Sequence, residues 1–350
     1  MSFSDAIRVG ASGAVDFEVE RSLRINKPDD PQLYRTGSNN ASTYTISMWI
    51  KISGSLSNYR RLFSSYADGL ILNNDGRLRY EDEGDGQAYS TAVFRDTSAW
   101  YHIVMAVTPS GGTVYVNNVS HITSSMTHSL STASNAIRHF WNPGDPGEFA
   151  FDGYGAEVAL IDGQALTPSS FAETNAETGQ WIPKDLSGLT FGSNGHYLKF
   201  TDTSNLGKDF SGNNNNFTTA NFSTSAGAGN DSLEDTPTNN WCTLNPIFRF
   251  SGRTAPNFSN GGLEINNTGG GDKNAHGTFA VKSGKYYFEG IPTGVSTSGG
   301  GTHFIGIQES SPGHVNQGFW RNPGTVYNQS ASGSDIGTSY DSNDVIGVAF

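Results

Sequence analysis

The sequence predicts an all-β protein made of short strands and many turns. Three observations carry that prediction. Charged residues are only 15% of the chain, below the usual quarter, and its polarity comes from Asn, Ser, Thr and 43 Gly. Such residues bond their own backbone and favour turns over helices. Short alternating segments of apolar, β-branched and aromatic residues recur between those turns. Helical signal is confined to Thr167–Glu173, which fits one short turn with Thr167 as N-cap and Pro168 at the first position.

The clearest element is Trp100–Asn118. Trp100–Val107 is a nearly unbroken apolar run, too short for a buried helix, and reads as an inner strand covered on both faces. Pro109 presets a turn, and Gly111-Gly112 can take the positive φ that a hairpin needs. Thr113–Asn117 then alternates, Val114 and Val116 against Thr113 and Tyr115.

In chain order, residues 1–19 form a small-residue arm, free or docked on a larger assembly; within it Ile7, Arg8 and Val9 are the docking candidates. Strands begin at Arg21. Ser22–Ile25 alternates, and Asn26–Pro31 turns. In Thr45–Ile52, Ile46, Met48, Ile50 and Ile52 share one face, with Thr45, Trp49 and Lys51 on the other. Arg61–Phe63, Leu70–Leu72 and Arg77–Tyr80 follow, the last two joined by Asn73-Asn74-Asp75-Gly76, a strong hairpin signal. Glu157–Ile161 runs into a turn at Asp162-Gly163, and His196–Phe200 alternates ahead of a run of four Asn. Residues 223–241 are polar and rich in turn formers. Beyond Trp241 come further strands among Gly-rich loops, and the sequence stops at Phe350 inside an apolar run, where further strands are expected.

The 350 residues are enough for two domains, and 12% aromatic content argues against disorder. A net charge of −12 argues against nucleic acid and anionic membrane as partners. The single cysteine, Cys242, excludes an intrachain disulfide and a Cys-based metal cluster. The N-terminus lacks the long apolar core of a signal peptide, and no transmembrane run appears.

Ser22–Asn26, Ile46–Ile50, Trp100–Val104, Val114–Asn117 and Phe151–Val158 together resemble a laminin-G-like, concanavalin-type jelly roll. Asn118 stands where relatives usually carry Gly; Asn also tolerates a left-handed turn. Asp162–Leu166, Lys208–Asn213, Ala226–Ser232, Asp235–Asn239 and Cys242–Pro246 resemble tail-fibre and other virion proteins of tailed bacteriophages. Ser283–Glu289, Phe304–Ile307 and Asp344–Phe350 resemble a SPRY-type sandwich. The resemblance implies a laminin-G/concanavalin-like sandwich over 20–222, a connector over 223–245 and a second, incomplete SPRY-like sandwich over 246–350. It implies a virion protein, a tail fibre or a head or tail appendage, forming homotrimers, docked on other virion proteins and bound to host-surface polysaccharide. His196–Phe200 with Asp209–Asn213 normally opens such a sandwich; here it follows the closing strand, so it is expected to return onto the first domain.

Glu81, Glu83 and Asp85 alternate, so on a strand they share a face, and paired carboxylates can cleave glycosidic bonds. The Gly- and acid-rich stretch suits a solvated loop better. Oxygen ligands abound, which admits calcium at Asp152 and Glu157, with Asp145 and Glu148 just before them, although no spacing is diagnostic. His102, within an apolar strand and without a visible partner, reads as a hydrogen-bonded core histidine. What remains is binding: Trp141, Tyr154 and Trp320 are candidates to stack on sugars, each with a competing reading as packing. Host-glycan recognition without catalysis is therefore expected. A capsid-decorating protein without a receptor role and a concanavalin-type polysaccharide hydrolase are the alternatives.

Overall fold

The structure is a computed structural model describing residues 17–54, 58–66, 68–82, 86–134, 136–141, 149–227, 229–248, 256–266, 273–293, 304–308, 316–321, 325–327, 333–335 and 342–350. The docking candidates Ile7, Arg8 and Val9, together with Glu83, Asp85, Asp145 and Glu148, lie outside the described residues. The chain divides into two compact units, one ending at Phe279 and one beginning at Ala280.

The first unit is the all-β concanavalin-like jelly-roll sandwich. Its first ten strands are β1 (Ser22–Ile25), β2 (Gln32–Arg35), β3 (Tyr44–Ile52), β4 (Arg60–Ser65), β5 (Asp68–Leu72), β6 (Leu78–Asp82), β7 (Gly86–Tyr89), β8 (Trp100–Thr108), β9 (Gly111–Val116) and β10 (Val119–Ser124). They continue as β11 (Ile137–His139), β12 (Gly153–Asp162), β13 (Ala172–Thr174), β14 (Trp181–Pro183), β15 (His196–Leu198), β16 (Thr218–Ala220) and β17 (Ser232–Leu233). One sheet runs β10-β9-β8-β3-β12-β1-β17, with β15 also paired to β12; the other runs β16-β2-β11-β4-β5-β6-β7. All pairings within these two sheets are antiparallel.

The core lies between the sheets. Ile46, Met48, Ile50 and Ile52 of β3 meet Leu62, Phe63, Leu70 and Tyr80 of the opposite sheet. Burying each large apolar side chain contributes about 1.5–3 kcal/mol, and here no disulfide shares the task. Packing is tight enough to require glycine at Gly155, where a Cβ would stand 2.5 Å from the Phe140 ring. The β8–β9 turn is Pro109-Ser110; Gly111, at φ +133°, already belongs to β9 and pairs with Thr108.

Polar groups also cross the core. The Arg35 guanidinium donates to the Asn194 side chain and carbonyl and to His196 Nδ1, and His196 Nε2 lies 2.9 Å from His139 Nε2. Arginine can only donate, so His196 accepts at Nδ1 and carries its proton at Nε2, which points at His139. Burial, followed by the nearby Arg35 charge, holds His139 down to about 3 and His196 well below the usual imidazole range.

The eight-stranded sheet is covered on its outer face too. Trp100, Lys51, Tyr154 and Arg24 form one outward row by register. Across that row lies the stretch expected to be a polar connector. Lys51 Nζ pairs with Asp235 at 2.8 Å, both nearly inaccessible, and Arg24 pairs with Asp231 at 3.0 Å. Asp235 also accepts from Trp100 Nε1 and the Trp241 amide. Residues 231–241 are thus a strap fastened by buried charges. Beside the strap, Phe171, Leu186, Phe191 and Tyr197 pack on Val104, Ala159 and Ile161. The turn expected near Thr167 is a 3-10 helix at Pro168–Ser170; Thr167 Oγ1 meets Ser169 Oγ and does not cap the backbone.

The stretch 196–222 contributes β15 to one sheet and β16 to the other. Between them, the Asp209 carboxylate accepts from the amides of Tyr197, Ser211 and Asn215, and Asn213 and Asn215 tie the loop to the Gly195 carbonyl. Residues 246–279, grouped in the sequence with the second sandwich, fall in the first unit.

In the second unit, Tyr287–Gly290 pairs with Ile346–Ala349. A four-stranded antiparallel sheet joins Phe304–Gln308, Asn316–Arg321, Thr325–Tyr327 and Gly333–Asp335. The apolar run ending at Phe350 is paired, with Tyr286 and Phe350 exchanging backbone hydrogen bonds.

Candidate functional site

With one sheet buried on both sides, the outer face of the seven-stranded sheet becomes the candidate site. Register defines two adjacent outward rows. One carries Thr218, Tyr34, Arg138, Ser64, Gly69, Glu81 and Gln87; the other carries Arg61, Ile71, Arg79 and Tyr89. The bulge between Arg61 and Phe63 puts Arg61 on the outside while Leu62 and Phe63 both reach the core.

Glu81 accepts from Arg61 at 2.7 Å and from Arg79 at 2.9 Å. The Arg61 guanidinium lies 5.6 Å from the Phe149 ring centre, Arg79 lies 5.1 Å from that of Tyr59, and the two rings stack on each other. This half of the face is closed by its own side chains. Glu81 is paired with two arginines, and Glu83 and Asp85, the carboxylates read with it, lie outside the described residues.

The other half is open at Tyr66 and partly at Tyr34, while Arg138 and Ser64 are buried. Tyr34 neighbours Arg138 in the register, and Arg138 Nη1 donates to the Tyr66 carbonyl at 2.9 Å. Tyr66 is 60% exposed, yet its backbone sits at φ +63°. A bulky residue pays for that conformation, roughly 1–2 kcal/mol. It is pinned on both sides: its amide donates to the Ala136 carbonyl, and its carbonyl accepts from Arg138. Tyr34 is backed by Trp141, with ring centres 5.4 Å apart, and Trp141 Nε1 donates to Asp30. Arg138 thus stands beside Tyr34 in the sheet and is bonded to the backbone of Tyr66.

The sequence-derived candidates divide accordingly. Trp141 belongs to this face as the support behind Tyr34 and is itself buried. Tyr154 lies in the covered row of the other sheet, fully buried, its hydroxyl donating to the Gly261 carbonyl. Trp320 lies on Asn316–Arg321, and its side chain is outside the described ones. His102 is a core histidine. Trp181 Nε1 can only donate, to His102 Nδ1, so Nε2 bears the proton and faces Ser47 Oγ. Burial pushes it down to about 3.

Asp152 and Glu157, the calcium candidates, sit among different partners. Asp152 is pushed up to about 6 by burial, and the charges beside it are the cations Arg60 and Lys27, which repel a metal ion. Glu157, at φ +49° beside a bulge of β12, is hydrogen-bonded to the buried Tyr197 hydroxyl, and burial pushes it up to about 7. Among the described residues no cluster of His, Cys, Asp or Glu could hold a metal ion.

Sequence reading missed Tyr34, Tyr66 and Arg138. Each sits on or beside a very short strand, and the signal, an Arg in Ile137–His139 opposite a Tyr in Gln32–Arg35, emerges only from pairing. A recess of about 390 Å³ is lined by Arg95, Asp96, Thr97, Asn245, Ile247 and Phe248, with Phe248 its one aromatic ring.

The folding pattern has a counterpart among known families. Residues 29–172 match the concanavalin A-like lectin/glucanases superfamily. The matched segment runs from the turn before β2 to β13 and so holds the whole open face except Thr218. Among solved structures, a putative carbohydrate-binding protein from Bacteroides ovatus is 15% identical, with 58% of each chain covered and a TM-score of 0.45. The fourth domain of an extracellular arabinanase from Geobacillus stearothermophilus, in complex with arabinotriose, is 20% identical over 39% of this chain and 68% of that one, TM-score 0.32. The mouse laminin α1 chain is 17% identical over 37% and 40%, TM-score 0.28. The chain thus spans 58% of the length of the first of these structures. No curated protein matches the sequence.

Proposed function

We propose that this chain is a non-catalytic structural protein of a bacteriophage virion, a tail fibre or a head or tail appendage, whose lectin-like sandwich grips a host-surface glycan. The observation that carries the binding reading is Tyr66: an exposed ring on a strained backbone that is fastened from both sides. Strain of this kind persists only where the surroundings enforce it, and it marks recognition sites more often than neutral surface. With Tyr34 across Arg138, the ring offers an apolar platform for a sugar face and donors for its hydroxyls. The virion role rests on the order of tail-fibre-like motifs from Asp162 to Pro246. With it go the N-terminal arm as the docking segment, a homotrimeric assembly, a SPRY-like second sandwich and a place on the extracellular particle.

The competing hydrolase reading needs a free carboxyl pair, and Glu81 is held by two arginines. Affinity electrophoresis of the whole protein in gels containing host capsular or lipopolysaccharide glycans tests the proposal. Retardation that disappears in Tyr34→Ala and Tyr66→Ala, without new reducing ends in the polysaccharide, is the expected result. Reducing ends released at a steady rate, or retardation untouched by both substitutions, would refute it.

A further inference from the structure

Resting on that glycan-binding reading, we infer that the open face selects an acidic sugar, one bearing a carboxylate or sulfate, and that Arg138 is the group that pairs with it. Arg138 is 7% exposed, so its charge is largely withdrawn from water. Such a charge ordinarily has a carboxylate beside it. None of the described carboxylates takes that place: Glu81 is spent on Arg61 and Arg79. Burial, and then the like charge of Arg61, lower the Arg138 pKa. Ser64, its neighbour in the register, brings no charge. One fork nitrogen is used on the Tyr66 carbonyl, and Nε has no partner.

The two outward rows therefore hold three guanidiniums, Arg61, Arg79 and Arg138, against one carboxylate, Glu81, in a chain of net charge −12. A general attraction for anions does not follow from the whole molecule, which repels them; the attraction is local. A neutral sugar would leave the buried cation as it is. A carboxylate or sulfate seated between Tyr34 and Tyr66 supplies the missing counter-charge, and the planar guanidinium can meet it with paired donors.

The test compares acidic polymers (polygalacturonate, chondroitin sulfate, polysialic acid) with neutral galactan and dextran. It measures affinity for the whole protein as wild type, Arg138→Gln, Arg138→Lys and Tyr66→Ala, with near-ultraviolet circular dichroism confirming each fold. The expected result is that at least one acidic polymer binds and the neutral ones bind about ten-fold or more weaker. Arg138→Gln should erase that preference, Arg138→Lys should keep part of it, and raising salt should weaken the acidic polymer alone. Neutral polymers binding as well as acidic ones, with Tyr66→Ala still abolishing binding, would overturn the acidic preference and leave the glycan reading standing. An acidic preference that survives Arg138→Gln overturns the role of Arg138. No polymer binding at all, in any variant, overturns both readings.

Discussion

Replacing Asp235 with alanine should detach the strap from the sandwich. Lys51 Nζ is fully buried and lies 2.8 Å from the Asp235 carboxylate, 2.8 Å from Asn240 Oδ1 and 2.6 Å from the Trp241 carbonyl. Without Asp235 the ammonium keeps two neutral acceptors and loses its counter-charge. Breaking a buried pair from one side costs about 3–5 kcal/mol. The two surviving acceptors place this case near the lower end, at about 3 kcal/mol, even though Trp100 Nε1 and the Trp241 amide lose an acceptor as well. Removing both charges together, as Lys51→Met with Asp235→Leu, leaves no ion to desolvate and should return stability to within about 1 kcal/mol of wild type. Urea unfolding followed by tryptophan fluorescence, run as a double-mutant cycle, measures both values, since Trp100 and Trp241 report on the strap directly. If Asp235→Ala costs under about 1 kcal/mol, or if the two single losses simply add, the strap is not held by this pair.

Other consequences follow from buried titratable groups and close contacts. Glu157 titrates near 7 in the fold against its ordinary 4.5, so its protonated form is the one the fold prefers; the stability it confers is full below about 4.5 and is lost as pH rises through 7. Glu157→Gln should therefore stabilise relative to wild type at pH 8 and not at pH 4, by urea midpoints in the two buffers. His139 and His196 are depressed in the fold, which puts their contribution above 6.5 and removes it as pH falls. His196→Asn should flatten the loss of thermal stability between pH 7 and pH 5, and an unchanged slope would count against a neutral buried pair. Gly155→Ala drives a methyl into the Phe140 ring and should cost about 1–3 kcal/mol in chemical denaturation. Tyr66→Gly removes the left-handed strain and should hold or raise the melting temperature while weakening glycan binding.

Much of the sandwich is legible in the sequence because period-two alternation and burial coincide. Ile46, Met48, Ile50 and Ile52 point inward as their spacing requires, with Trp49 and Lys51 on the opposite face. The Trp100 run is buried on both faces because residues 167–197 and the strap lie across its outer side. What composition concealed is the strap. Residues 223–241 read as linker by their Gly, Ser and Thr, yet Asp231 and Asp235 meet Arg24 and Lys51 from about two hundred residues earlier, a pairing no local pattern contains. The same limit applies to the site. Tyr34, Arg138 and Tyr66 come from a four-residue strand, a three-residue strand and a turn, and only sheet order brings them together. Tyr154 shows the reverse: an aromatic residue with the composition of a stacking platform, placed by register under the strap.

Where a sugar sits is the most direct test of this site. A crystal structure of the whole protein with an acidic oligosaccharide bound should show a sugar ring against Tyr66 and Tyr34, with its carboxylate or sulfate on Arg138. A sugar bound in the recess beside Phe248, or on any surface away from the seven-stranded sheet, would contradict it.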